Sequence, residues 1–441
     1  MSGAESERKA ARFVQLTRDL RQLRGEPEDG SDAPLAFWVP GRIEVLGKHT
    51  DYGGGRSLLC AVERGICVVA EISGTASASR VRVLDSRSGD KTEFDLSANV
   101  AATPGHWSNY PITVARRIAT NFSGTMRGAD IVFASDLPAA AGVSSSSALI
   151  VAIFLALAAA NDLPETPEYH DNIRTSEDLA GYLGCVENGL DFKSLHGQAG
   201  VGTFGGSEDQ TAILCARANS LVQYSFCPVT FERSIALPAG CTFVIAASGV
   251  LAEKTGAALK HYNRVSRRLS AGLECWRRAT GRDDTSMGAA IASSPDALGR
   301  IRQVLRAVTD AEYSSESLLQ RFEQFDVESN RLIPAAGDAL ANNNLAVFGE
   351  LVAQSQRGAE RGLENQIAET VALVYAARKL GAIAASAFGG GFGGSVWALV
   401  ASSSVEDFHH AWARAYHEAF PQHAGHSEFF GTRAGPAAIR L

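Results

Sequence analysis

The feature that most limits what this chain can become is a loop of small residues running straight into an unbroken apolar segment. Residues 138–147 read PAAAGVSSSS and residues 148–160 read ALIVAIFLALAAA. The apolar segment falls well short of the roughly 20 residues that cross a bilayer, so it reads as a helix of a globular chain beginning near Ala148. At such a start, unpaired N–H groups and the positive end of the helix dipole point outward. Small residues let a ligand approach, and hydroxyls can contact a phosphate or a divalent cation. Serines that merely cap the helix are the alternative, so the loop needs corroboration elsewhere in the chain.

The 441 residues, 45% hydrophobic and 20% charged, have the make-up of an ordinary globular protein with room for two cores. A formal net charge of -7 gives no basic footprint for nucleic acid, so anionic ligands must meet locally placed positive charge. The seven cysteines are scattered, with no CxxC pair, and the first 20 residues read as a charged amphipathic helix rather than a signal peptide. The expectation is a cytoplasmic protein with reduced thiols and no membrane role.

Residues 35–47 read as a strand that breaks into the polar run KHTDYGGG, and strand-like stretches follow at 57–72, 80–88 and 92–97. Helices are expected at 110–120 and 177–188, and strands at 128–133, 211–217, 220–226 and 241–248. Beyond Gly256 the apolar spacing is helical over 261–279, 294–308, 316–342 and 369–381, with a last helix at 405–417. A soft boundary near 235 divides the chain into domains of 1–235 and 236–441. The run from Gly41 to His49 is rejected as a Walker A loop, having five residues between its glycines and histidine after Lys48. Residues 389–394, GGGFGG, match GxGxxG, but SVWALV follows as a strand, so a glycine hairpin is the better reading than a dinucleotide site.

Three segments in order resemble the signature motifs of the GHMP kinases, and the first is similar to the galactokinase sugar-site signature. PGRIEVLGKHTDYGGG at 40–55 compares with PGRVNLIGEHTDYNGG, the serine loop with the second motif, and 389–394 with the third. GGSEDQ at 205–210 resembles the GIMDQ segment around the family's catalytic aspartate, with Ser207 and Glu208 in place of Ile and Met. The resemblance spans about residue 36 to the C-terminus. It implies an α+β, two-domain GHMP kinase fold with ATP in the interdomain cleft, and transfer of the γ-phosphoryl group to a monosaccharide, at the C1 hydroxyl.

Carried over residue by residue, it implies Asp209 and Arg42 as catalytic residues. An aspartate can accept the proton of the attacking hydroxyl, and an arginine can hold that aspartate ionised while stabilising the transferring phosphoryl group. It implies Lys48, His49, Asp51, Gly206 and Tyr262 at the substrate. It assigns Ala141, Gly142, Val143, Ser144, Ser145, Ser146, Ser147, Gly390 and Gly391 to the nucleotide, and Ser145 and Glu187 to Mg²⁺, which favours few carboxylates together with water and phosphate oxygens. Taken singly, each residue has a structural alternative: Asp209 as a cap, Glu187 as a solvated helix charge, Arg42 as half of an ion pair.

Two departures stand out. The signature carries glutamate where this chain has Lys48, and asparagine where it has Glu44. In galactokinases that glutamate accepts a hydrogen bond from the C6 hydroxyl, whereas lysine has only donors. A hexuronic acid such as galacturonate or glucuronate is therefore one alternative substrate, and a Lys48 turned away to pair with Glu44 or another acid is the other outcome. A non-catalytic sugar sensor on the kinase fold is a reading from another class, and an NAD-dependent oxidoreductase a distant third. The partners implied are a small sugar and ATP, without nucleic acid or membrane, and a monomer is the default state.

Overall fold

The computed structural model describes residues 3–27, 33–73, 79–103, 105–124, 126–138, 141–251, 257–309 and 312–441. The chain opens with α1 (Gly3–Arg24), followed by β1 (Leu35–Leu46) and β2 (Arg56–Ile72), which pair antiparallel around a tight turn. Next come β3 (Arg80–Asp85), β4 (Lys91–Asp95), α2 (Asn109–Asn121) and β5 (Ala129–Ser135). Along these strands alternate side chains go to two different cores: Phe37, Val68 and Ile131 to one, Trp38, Cys67 and Val132 to the other. A sheet apolar on both faces must be covered on both. Helix α1 covers one, with Leu16 and Leu20 spaced one turn apart, and α3 (Ser145–Ala160) covers the other.

Helices α4 (Pro167–Asn172), α5 (Ser176–Asn188) and α6 (Glu208–Cys215) follow, then β6 (Ser220–Ser225) and β7 (Thr230–Ala236), which extend the sheet from the first half of β2. Strand β8 (Cys241–Ala247) begins a second sheet. Then come α7 (Ala257–Thr280), α8 (Met287–Ala292), α9 (Ala297–Arg306), α10 (Ser315–Val327), α11 (Ile333–Ala341), α12 (Leu345–Gly358) and α13 (Ala368–Lys379). The chain closes with β9 (Ala384–Phe388), β10 (Ser395–Ala401), α14 (Val405–Ala419), β11 (Glu428–Thr432) and β12 (Ile439–Arg440).

Among the described residues the larger sheet has eight strands, with path β12-β1-β2-β5-β3-β4 and β6 and β7 branching from β2; the smaller has the order β11-β8-β10-β9. Among the described residues only β3 and β5 pair in parallel. Phe243, Ile245 and Trp397 of the smaller sheet belong to the same core as β1 and α3, so the two sheets are welded by shared apolar contacts, and β12 returns the C-terminus to β1. No helix among the described residues is long and apolar enough to cross a membrane.

Three sequence expectations need correction. Residues 211–217 are not a strand: 208–215 form α6, packed on α5. A short apolar run has no period that separates a strand from a buried helix, and the acids Glu208 and Asp209 sit in the first turn, where a helix dipole favours them. Helix α3 starts at Ser145, three residues earlier than expected, because the serines themselves adopt helical geometry. Strand β7 and helix α12 were absent from the sequence reading, β7 because its exposed face obscures the alternation.

Candidate functional site

The three motif segments meet where β1, the start of α3 and the β9–β10 turn come together. The Arg42 amide donates to the Val143 carbonyl at 3.3 Å, and the Ser395 hydroxyl donates to the Ala141 carbonyl. A Cβ on Gly389 would lie 3.0 Å from the Gly142 oxygen, so the close approach of the two loops needs glycine. The junction borders two cavities. The larger, about 1070 Å³, is lined by the Ser144–Ser146 hydroxyl stretch, Gly390 and Gly391, with Trp107, Tyr110 and Phe133 as an aromatic wall. The smaller is a recess of about 50 Å³ lined by His49, Asp51, Glu187, Gly206 and Asp209. Arg42, Tyr262, Gly389 and Gly390 border both.

Arg42 is the hub. Its Nε and Nη2 both donate to Asp209 Oδ1, at 2.7 and 2.6 Å, and its Nη1 donates to the Gly142 carbonyl. Burial works against the guanidinium charge, but Asp209 first, then Glu208 and Glu44, outweigh it and raise its pKa. Asp209 stands in the first turn of α6, and its Oδ2 accepts from Ser147 Oγ at 3.2 Å. The same hydroxyl lies 2.8 Å from Glu187 Oε2, which also accepts from Gln210 Nε2 at 2.6 Å. The serine that reaches Glu187 is therefore Ser147, not the Ser145 expected from the sequence. Ser145 lines the larger cavity because the helix turns it through about 200° from Ser147. Ala141, Val143 and Ser147, by contrast, are buried and line neither cavity.

The recess is shaped by backbone as much as by side chains. Asp51 Oδ2 accepts from the Glu208 amide at 3.1 Å, and a Cβ on Gly206 would sit 2.4 Å from that oxygen, so position 206 has to be glycine. His49 holds a left-handed φ of 57°, which costs a non-glycine residue free energy that its surroundings must supply. Its carbonyl accepts from buried Arg321, its Nε2 lies 3.1 Å from the Gly390 carbonyl, and its ring meets Tyr262 at 5.5 Å.

Lys48 does not line the recess. The loop carries its buried side chain inward, where Nζ donates to Ser355 Oγ at 3.3 Å. Ser355 donates in turn to Glu328 at 2.8 Å, and Glu328, in a π-helical turn at Glu328–Leu332, accepts the Gly47 amide at 3.0 Å. Lys48 is thus a counter-charge for buried acids, and its assignment to the substrate is withdrawn. Glu44 and Glu208 line the recess instead, near enough for each to influence the other's charge, with Ser57 donating to Glu208 at 2.6 Å. Burial raises the Glu44 pKa to about 7 against the pull of Lys48 and Arg42. Burial, then the neighbouring Glu44 and Asp51, raises that of Glu208 well above the ordinary range.

Sequence reasoning missed the parts played by Ser147, Gln210, Glu328, Ser355 and Arg321. For the last three, signals from the distant α10–α12 region carry no spacing that points to the signature loop. For Glu44 and Glu208 the signal was present: two acids at positions where the family signatures have Asn and Met, with a lysine for glutamate nearby.

Comparison with known proteins follows the same lines. Residues 28–72 match the galactokinase galactose-binding signature, residues 109–190 the GHMP kinases N terminal domain, and residues 338–418 the GHMP kinases C terminal region. A galactokinase of Chloroflexus aggregans is 30% identical over 385 residues, spanning 86% of this chain and 87% of that enzyme. The chain belongs to the galactokinase family. A Roseiflexus galactokinase is 29% identical over 412 residues, covering 91% of this chain and 92% of its own. Among solved structures, Lactococcus lactis galactokinase complexed with galactose shares the fold with a TM-score of 0.76 at 23% identity, over 97% of this chain and 100% of that one. Methanococcus jannaschii mevalonate kinase shares it at 0.55 and 12% identity, over 92% and 99%. This galactokinase-family chain is an ATP-dependent sugar kinase with the two-domain α+β GHMP kinase fold.

Two outcomes follow from the buried charges. Replacing Lys48 with methionine leaves the acids around it uncompensated, so chemical unfolding should show a loss of about 3 kcal/mol; a lysine facing a substrate would change stability by less than about 0.5 kcal/mol. The second concerns pH. A glutamate raised from 4.5 to about 7 in the folded chain binds more protons folded than unfolded, so its contribution is most favourable below the unfolded value and is lost as pH rises through the folded one. The stability of the wild-type protein relative to Glu44→Gln, which does not titrate, should therefore fall between pH 5 and pH 8, by ~1–3 kcal/mol. A flat difference would place Glu44 in an ordinary solvated setting.

Proposed function

We propose that this galactokinase-family kinase transfers the γ-phosphoryl group of ATP to the C1 hydroxyl of galactose or a close neutral hexose. The observation that carries the reading is the position of Arg42, which borders both cavities while gripping Asp209. In the proposed complex the ATP phosphates lie in the larger cavity over the first turn of α3, where Ser144–Ser146 and unpaired amides supply donors to an anion. The adenine takes the aromatic wall of Trp107, Tyr110 and Phe133. The sugar occupies the recess, beside His49, Asp51, Gly206 and Tyr262.

The chemistry asks for positioning and electrostatic stabilisation more than for covalent help. Asp209 Oδ1 is taken up by two Arg42 donors, so Oδ2, 3.2 Å from the Ser147 hydroxyl, is the oxygen we assign to receive the proton of the attacking hydroxyl. Arg42, still charged, keeps Asp209 ionised until that moment and faces the negative charge that builds on the transferring group. Glu187, which lines the recess and is steadied by the buried Ser147 hydroxyl, is a carboxylate of the hard-oxygen kind that Mg²⁺ takes. When bound there with the nucleotide, Mg²⁺ would neutralise phosphate charge.

The uronate alternative draws no support from the geometry: Lys48 is turned away, and Glu44, Asp51, Glu187, Glu208 and Asp209 all line the recess. A sensor without catalysis does not account for the intact Arg42–Asp209 pair. A cytoplasmic site of action fits seven cysteines that are all free. The reading is tested by Asp209→Asn. ADP release with galactose should show kcat lowered by about 100-fold or more, the scale of a lost general base, with ATP affinity nearly unchanged. Near-normal kcat in that variant removes Asp209 from the mechanism.

A further inference from the structure

Two acceptor atoms in the wall of the recess, Glu44 Oε1 and Gln210 Oε1, are buried without a donor among the described residues. Their residues are 4% and 1% exposed. A buried acceptor without a donor is unfavourable, and two in one wall point to a ligand that brings donors. The cations of this region are already engaged: Lys48 is held on Ser355, and Arg42, which borders the recess, is held on Asp209 and the Gly142 carbonyl. The three charged departures from the family signatures, Glu44, Lys48 and Glu208, thus converge on one cluster: two acids at the wall and a lysine whose charge acts on one of them.

Resting on the sugar-kinase reading above, we propose that Glu44 and Glu208 are specificity-determining residues of the acceptor recess. They select a substrate that presents a hydroxyl or amino donor to the acid pair and turn away one that presents a carboxylate there. The two buried acids offer acceptor oxygens whose loss of a donor leaves a buried polar group unpaired, which is how a polar site discriminates strongly. A carboxylate beside Glu44 and Glu208 would meet the like charge of the acids that line the recess, so rejection comes from repulsion as well as from missing attraction.

The test is a kcat/KM panel for galactose, its monodeoxy analogues and galacturonate, in the wild type, Glu44→Leu, and the double variant Glu44→Leu/Lys48→Met. The double variant removes one acid and one lysine together, so the formal charge of the buried cluster is unchanged, and it carries the comparison if the single one does not fold. In the wild type, galacturonate should fall below about one hundredth of galactose, and one deoxy position should cost about tenfold or more, chiefly in KM. That same position should cost the variant no more than about threefold, while the penalties at the other positions stay as they were. A variant whose penalties all change by one common factor, or a wild type that uses galacturonate as well as galactose, overturns the proposal. If ATP binds but none of the neutral sugars is phosphorylated, it is the sugar-kinase reading that fails, and the specificity assignment falls with it.

Discussion

The Arg42–Asp209 ion pair is the interaction around which the rest of the site is arranged. It joins β1 to the first turn of α6, and through the Gly142 carbonyl it reaches the loop that starts α3. Each of the three elements comes from a different part of the chain, and none of their strand or helix hydrogen bonds would hold the two side chains in this register. The pair is nearly dry on the arginine side, so its geometry is enforced by desolvation: breaking it would leave a buried guanidinium without its counter-ion. What packs around it, from the α3 apolar face to the shared core of the two sheets, keeps those three elements from drifting apart.

A second constraint comes from charge balance. Burying Glu44, Glu208 and Glu328 near one another is unfavourable unless cations or retained protons offset them. Lys48 supplies one cation, and the raised pKa values of Glu44 and Glu208 mean that the acids themselves carry part of the remainder as protons. The substitution of lysine for glutamate in the signature loop is therefore read together with Glu44 and Glu208, and not as an isolated change in the substrate's surroundings. Charge inversion at position 48 is compensated from positions 44, 208 and 328, the last of them 280 residues away in sequence.

Much of this was legible in the sequence where the signal was local. Strands β1 to β5, helix α5 and the long helices of the second half follow from periodicity, and the meeting of the three motif loops follows from the family resemblance. Helix α6 was misread because a short apolar run has the same composition in a buried helix as in a strand; its acidic first turn was the available clue. A Lys48 turned away from the substrate was one of the two outcomes the sequence offered, but its partners were not legible, since Ser355 and Glu328, which receive it, lie on elements that only the tertiary fold brings near. The exchange of Ser145 for Ser147 at Glu187 has a simpler origin. The helix begins earlier than the apolar run suggested, and that rotates each serine to a different side.

The central claim is that Arg42 and Asp209 serve phosphoryl transfer from ATP to the anomeric hydroxyl of a neutral hexose. It is met most directly by incubating the purified protein with ATP, magnesium and galactose and following the products by phosphorus NMR. The account predicts ADP together with a sugar phosphate whose phosphorus couples to the anomeric proton. Unchanged ATP, or a phosphate on any hydroxyl other than C1, would contradict it.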